Sequence, residues 1–271
     1  MRPKPPQRRP SEGFPAAHLR AELVPRPVAA LAESFARGAI IPAHSHKRDQ
    51  LIFAVQGTMT VQASRGLWIL PPSHALWVPA GVVHQIRMGG RVEMRTLYIQ
   101  PQHAERIRHE CHVLFVSPLL RELIVRAMEL PSLYDERGME GRLMTLMLDE
   151  IALLPAQPLG LRMPSDPRLL RLCELVLRDL ATPHSITELG ASVGLSERSV
   201  IRLFTEETGL SFGRWQNQAR LLKAFELFEH GQSMTRVALE LGYSGSSAFS
   251  KMFRRTMGKS PMAMLLTNDA A

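Results

Sequence analysis

Cysteine is nearly absent: the 271 residues hold two, Cys111 and Cys173, with no metal-type spacing between them. That scarcity leaves no basis for a disulfide framework or a thiolate zinc site, and both thiols read as reduced packing residues. Long apolar runs are missing too. No stretch approaches the roughly 18 apolar residues that would cross a membrane. The N-terminus sets Pro3, Pro5, Pro6 and Pro10 among Arg2, Lys4, Arg8 and Arg9, with no apolar stretch for a secretory signal. A cytoplasmic protein with no membrane partner is expected.

What is present is the composition of an ordinary globular protein, 45% hydrophobic and 21% charged, long enough for two domains. The formal charge of +8 favours a polyanionic partner. Its placement is less decisive. Four basic residues sit in the first ten positions, read as part of a disordered basic arm over 1–19. From Asp166 to Thr267 there are 13 Lys and Arg against 10 Asp and Glu, an excess too small to mark a DNA-binding domain by itself.

Three zones follow along the chain. The span 20–112 holds short apolar or alternating runs such as Leu51 to Val55, Met59 to Gln62, Trp68 to Leu70 and Val92 to Ile99. Turn signals at Gly57, Arg65-Gly66, Pro71-Pro72, Pro79-Ala80-Gly81 and Gly89-Gly90 separate them, which predicts a β-sandwich or barrel. In 113–165 the period becomes helical through Leu119, Leu120, Leu123, Ile124 and Ala127, then Leu143, Met147, Ile151 and Leu154. This predicts a helical pair that ends in a proline-rich linker from Pro155 to Pro167. The third zone, 166–267, is expected to be all helical, with starts at Asp166-Pro167, Ser185 (a capping box with Glu188), Ser196, Ser211, Ser233 and Ser260.

That third zone repeats itself. Val193-Gly194-Leu195-Ser196, Phe204, Gly209 and Ser211 recur as Leu241-Gly242-Tyr243-Ser244, Phe253, Gly258 and Ser260. Each copy reads as a short helix, a glycine turn and a second helix opening at serine: two helix-turn-helix units, at 186–207 and 234–257. Val200 and Phe204, and likewise Phe249 and Phe253, lie four apart and should face the core. The opposite faces then present Arg198, Ile201 and Arg202 in one unit and Ser246, Ser247, Ser250 and Lys251 in the other. Arg suits the paired acceptors of guanine, whereas serines suit bases, phosphates or water alike. An isolated exposed Arg reads as a solvated face; the duplicated frame makes these Arg residues candidate readers of DNA. The helix from Trp215 to Phe228 is read as the connector that fixes the two units' relative orientation.

On these residues, together with Ala238-x2-Leu241-Gly242-Tyr243, Phe249-x3-Phe253-Arg254-Arg255 and Gly258-x-Ser260-Pro261, the span from Leu169 to Leu266 resembles the DNA-binding domain of the AraC/XylS family. The resemblance implies that the two exposed faces approach adjacent major-groove segments of a double-stranded operator. Ile201 departs from the usual polar choice and suits a thymine methyl or no base.

Upstream, Gly38-x5-His44-x-His46-x3-Gln50-x6-Gly57 and Pro79-x-Gly81-x2-His84 resemble the two motifs of the cupin superfamily, with Gln50 where Glu is usual and Ser73 where Gly is usual. His44 and His46, two apart on a strand, would share a face, and His84 from a neighbouring strand would complete a nitrogen set. Gln50 would be a weak, neutral fourth ligand, and Trp77 would line the cavity or pack in the core. Two readings of this pocket stand at this point: a divalent metal on the three histidines, or an unidentified small-molecule effector. The expected architecture is α+β in two domains: an N-terminal cupin barrel, a helical connection, and an all-α domain with two helix-turn-helix motifs. The resemblance implies a ligand-responsive transcription regulator that is not an enzyme, forms a homodimer through the 113–165 segment and has RNA polymerase as a further partner. The alternative from another class is a metal-dependent cupin enzyme carrying a DNA-binding domain, although no paired acid and base are evident and the usual Glu is missing.

Overall fold

The computed structural model describes residues 16–63, 66–72, 74–107, 109–157, 160–258 and 260–263. The basic arm up to residue 15, Arg65, Ser73 and the C-terminal edge at 264–267 therefore lie outside the described residues.

A short helix, α1 (Ala16–Leu23), precedes eight strands: β1 (Val28–Phe35), β2 (Ile40–His44), β3 (Asp49–Gln56), β4 (Met59–Ala63), β5 (Gly66–Leu70), β6 (His74–Val78), β7 (His84–Met88) and β8 (Val92–Ile99). After them come β9 (His112–Phe115), α2 (Pro118–Ala127), α3 (Met139–Leu153), β10 (Ala156–Gln157) and β11 (Gly160–Arg162). The strands form two sheets ordered β1-β8-β3-β6-β9-β10 and β11-β5-β4-β7-β2. Every pairing between them is antiparallel.

Strand alternation sets the two cores. From the first sheet, Ile52, Ala54, Leu76, Val78 and Met94 face inward onto Met59, Val61, Leu70, Ile86 and Met88 of the second. Their neighbours Leu51, Phe53, Ala75, Trp77, Leu97 and Leu114 point the other way, onto Leu120, Ile124 and Ala127 of α2 and Met144, Met147 and Ile151 of α3. Strand β3 is thus buried on both faces, which is why it reads as a nearly continuous apolar run.

Three expectations are corrected here. First, α1 begins at Ala16, inside the segment read as a disordered arm, because His18 and Ala21 are buried against the barrel. Second, β9 is a strand where the helical connection was expected. Third, the proline-rich stretch is only partly a linker: β10 pairs with β9, and β11 pairs with β5 through Gly160↔Trp68 and Leu161↔Leu67. Each sheet ends on one of these very short strands, which leaves little open edge, and two or three residues leave no period to read. Gly160 is needed at that seam, since a Cβ there would fall 2.4 Å from Trp68 Nε1.

The remainder is helical: α4 (Pro167–Arg178), α5 (Ile186–Ser192), α6 (Glu197–Thr208), α7 (Phe212–Glu229), α8 (Met234–Glu240) and α9 (Ser246–Met257). Asp166, Ser185, Ser196 and Ser233 cap their helices by accepting backbone N–H bonds, whereas Ser211 is an N-cap without such a bond. The second unit departs from the expected start at Ser244. Its helix opens at Ser246 behind Gly245, which absorbs the extra residue of that copy.

The two turn glycines are equivalent in sequence but not in surroundings. Gly194 (φ +72°) has open space where a Cβ would go, whereas a Cβ on Gly242 (φ +79°) would lie 2.2 Å from the Ala181 carbonyl oxygen. Gly194→Ala is therefore expected to cost about 1–2 kcal/mol, the strain of the left-handed conformation. Gly242→Ala should cost clearly more, because backbone must also move. Denaturant unfolding of both variants checks this, and equal losses would refute it.

Candidate functional site

Each recognition helix is pinned by aromatic burial. Val200 and Phe204 on α6 are fully buried, as is Phe249 on α9, and Phe253 is nearly so. Phe204 stacks edge-on against Phe212 and Trp215, and Phe249 against Phe253 and Tyr243. With that face sealed, helical geometry leaves Arg198 and Arg202 exposed and Ile201 50% exposed. On α9, Ser247 and Lys251 are exposed, while Ser246 and Ser250 are half-buried. Arg202 is held along the helix by an ion pair to Glu206 at 2.9 Å.

The second site lies at one end of the barrel. His44 ends β2 and is the register partner of His84 on β7, and the β2–β7 register shifts between Ile41 and His44. His46 is not on the strand as expected. It sits in the loop before β3, yet its ring centroid comes within 4.7 Å of His44 and 5.4 Å of His84. One ring nitrogen from each of the three can lie within 4.8 Å of the others.

The hydrogen bonds fix how two of these rings are protonated. His44 Nδ1 contacts the Pro42 carbonyl at 2.7 Å and His84 Nδ1 the Val82 carbonyl at 3.0 Å. A carbonyl oxygen only accepts, so both Nδ1 atoms carry the proton and both Nε2 atoms keep a lone pair. His84 Nε2 is buried with no hydrogen-bond partner among the described residues, as is Gln50 Oε1. Burial, reinforced by the neighbouring imidazoles, pushes the pKa of His44 down to about 4 and that of His46 to about 3, and burial lowers His84 as well. Neutral imidazoles around a buried, unsatisfied nitrogen are the form a divalent transition metal requires, so the donor set fits one.

Gln50 keeps the atom that an amide ligand would use. Its amide nitrogen donates to Thr96 Oγ1 at 3.0 Å and to the Tyr98 hydroxyl at 3.2 Å, leaving only Oε1 for a ligand. Trp77 is not at this site: it is the register partner of Leu51, on the opposite face of β3 from Gln50, and packs against α2 and α3. Residues that sequence reasoning missed are Tyr98, whose ring centroid lies 4.8 Å from that of His46, and His18 and Glu22 of α1. Polar Thr96, at the inward phase that Val92 and Met94 set in β8, was the one signal pointing toward that strand.

The lowered histidine pKa values give a pH dependence whose sign is fixed. Between the unfolded value of 6.5 and about 4, the unfolded chain binds protons that the folded pocket refuses. The contribution to stability is complete above 6.5 and is lost as pH falls toward 4. Thermal unfolding in chelator-treated buffer should show this fall, with a shallower slope in a His44→Gln/His46→Gln variant; parallel slopes would contradict it.

The model of the AraC-like ligand binding domain matches residues 28–199 and that of a helix-turn-helix domain residues 189–266. The HTH-type transcriptional regulator NimR of Escherichia coli K12 is 33% identical over 81% of this chain and 80% of its own length. The HTH-type transcriptional activator RhaS of Escherichia fergusonii is 30% identical over 56% of this chain and 55% of its own. ToxT of Vibrio cholerae O395 aligns over 90% of this chain and 99% of its own, at 10% identity and a TM-score of 0.39, a likeness too weak to carry an argument. With the ligand-binding model spanning more than half of its length and a helix-turn-helix model matching its C-terminal part, the chain belongs to the AraC/XylS family of transcription regulators.

Proposed function

We propose that α6 and α9 enter two successive major-groove segments of one operator, α6 through Arg198, Ile201 and Arg202, and α9 through Ser246, Ser247, Ser250 and Lys251. The observation that carries this reading is the paired exposure of those faces on helices whose opposite sides are locked by buried phenylalanines. The Arg202–Glu206 pair does not stand in the way. Such an exposed i,i+4 pair is worth about 0.3–0.5 kcal/mol, against about 1–3 kcal/mol for a bidentate contact to guanine.

The histidine pocket is the effector site. His44, His46 and His84 would hold a divalent transition metal, whose charge would anchor an oxygen-bearing effector. A cleft lined by Ala43, Gln62, Gly81 and His84 adjoins it and offers a way in. The pocket is assigned a binding role and no catalytic one. The chain acts in the cytoplasm, where its operator and RNA polymerase are; no helix among the described residues is long and apolar enough to cross a membrane.

A second copy docks on α3. Although the pair α2 and α3 spends its main stripe on the barrel, Met139, Leu146 and Leu153 recur every seven residues on α3 and stay 65%, 45% and 73% exposed.

Arg198→Ala and Arg202→Ala should each weaken binding to a mapped operator by about 1–3 kcal/mol with thermal unfolding unchanged. Quantitative footprinting reads the loss, and unchanged footprints in both variants would defeat the proposal. Leu146→Glu should shift sedimentation from dimer toward monomer; an unaltered profile would remove α3 from the interface.

A further inference from the structure

With glutamine at position 50, the tight donor group at the barrel mouth consists of three imidazoles among the described residues. A carboxylate reaches the same place from outside the barrel. Glu22, in the last turn of α1, sets Oε1 at 3.7 Å from His46 Nδ1, with 18% of its side chain and 2% of the His46 side chain exposed. The same oxygen accepts the backbone N–H of Lys47, the residue after His46. One carboxylate therefore faces both the ring of His46 and the loop that carries it.

The helix bearing Glu22 is itself seated on the pocket. Fully buried His18 bonds the Tyr98 hydroxyl through Nδ1 and pairs with Glu33 at 2.5 Å through Nε2, and that hydroxyl also receives the Gln50 amide. At the helix end, the buried guanidinium of Arg48 donates to the carbonyls of Glu22, Val24 and Arg26.

The three histidines thus divide by the group that faces Nδ1. His44 and His84 have backbone carbonyls, whereas His46 has the carboxylate of Glu22. A metal-binding imidazole that gives its other N–H to a carboxylate is held in one tautomer and one orientation, and becomes a more basic ligand; at 3.7 Å the Glu22 carboxylate stands just outside hydrogen-bond length of His46 Nδ1, and a small side-chain shift would close that bond.

We propose that Glu22 is a positioning residue of the metal site, fixing His46 with Nε2 turned to the cation and supplying from α1 the negative charge that position 50 lacks. This rests on the reading of the pocket as a divalent-metal site. It follows that cation binding and the seating of α1 are linked. A cation that is held better when His46 leans on Glu22 favours the docked helix, and the docked helix favours the cation by the same factor.

The test uses the full-length protein, stripped with chelator, and the metal alone. Zn²⁺ affinity is measured by competition calorimetry, Co²⁺ coordination by visible absorption, and helix seating by amide hydrogen exchange across 16–23. The wild type should bind one ion per chain, with slower exchange across 16–23 on loading. Glu22→Gln keeps an oxygen for the Lys47 N–H but lacks the charge. It should bind roughly 10–100-fold more weakly, with a displaced Co²⁺ band and little slowing of exchange. Glu22→Asp should recover part of the affinity, and His84→Gln should abolish binding. Wild-type affinity, spectrum and exchange in Glu22→Gln would overturn the role of Glu22 and leave the metal site standing. No binding of either ion by the wild type, or undiminished binding by His84→Gln, would overturn the metal site and with it the role of Glu22.

Discussion

One continuous body of buried side chains joins the two halves of this protein. It runs from the barrel interior through Leu161 on β11 to Trp215 on α7 and Phe204 on α6. The Trp215 indole N–H donates to the Arg162 carbonyl at 2.9 Å, and Glu207, near the end of α6, accepts from the backbone N–H and hydroxyl of Ser165 and the backbone N–H of Asp166. The end strand of the barrel and the first recognition helix therefore share one packed core. Close-packed interiors have low compressibility, so a shift of β11 against β5 must displace the carbonyl that Trp215 bonds. The ligand-binding and helix-turn-helix domains meet at that seam.

Opposite requirements on water shape the two functional faces. The pocket keeps its imidazoles neutral by excluding solvent, since burial is the first cause of every lowered histidine pKa there. The recognition helices do the reverse. They spend their aromatic residues on the interior so that Arg198, Arg202, Ser247 and Lys251 remain hydrated, and two half-buried serines complete the α9 face. A charged side chain kept in water gives up little when it exchanges that water for a phosphate or a base edge.

The helix-turn-helix units were the most legible part of the chain, because their signals are local. A capping serine, a positive-φ glycine and a phenylalanine four residues from its apolar neighbour lie within about a dozen residues of each other. The start of α9 escaped, since an inserted residue moved the cap from Ser244 to Gly245. In the barrel, the strands with strong alternation or continuous burial were readable, whereas β10 and β11 were not. Strands of two or three residues exist only because β9 and β5 offer an edge to pair with.

The sequence by itself determined the duplicated DNA-reading frame, the barrel and the identity of three histidines with ligand chemistry, since residue type and short spacing carry those properties. Tertiary structure alone decided that His46 joins His44 and His84 from a loop, that Trp77 belongs to the opposite face of the sheet, and that His18, Glu22 and Tyr98 converge on the pocket. Those residues lie up to 80 positions apart, as His18 and Tyr98 do. Nothing in local periodicity encodes such a meeting, because it is fixed by which face of each strand the barrel closes around.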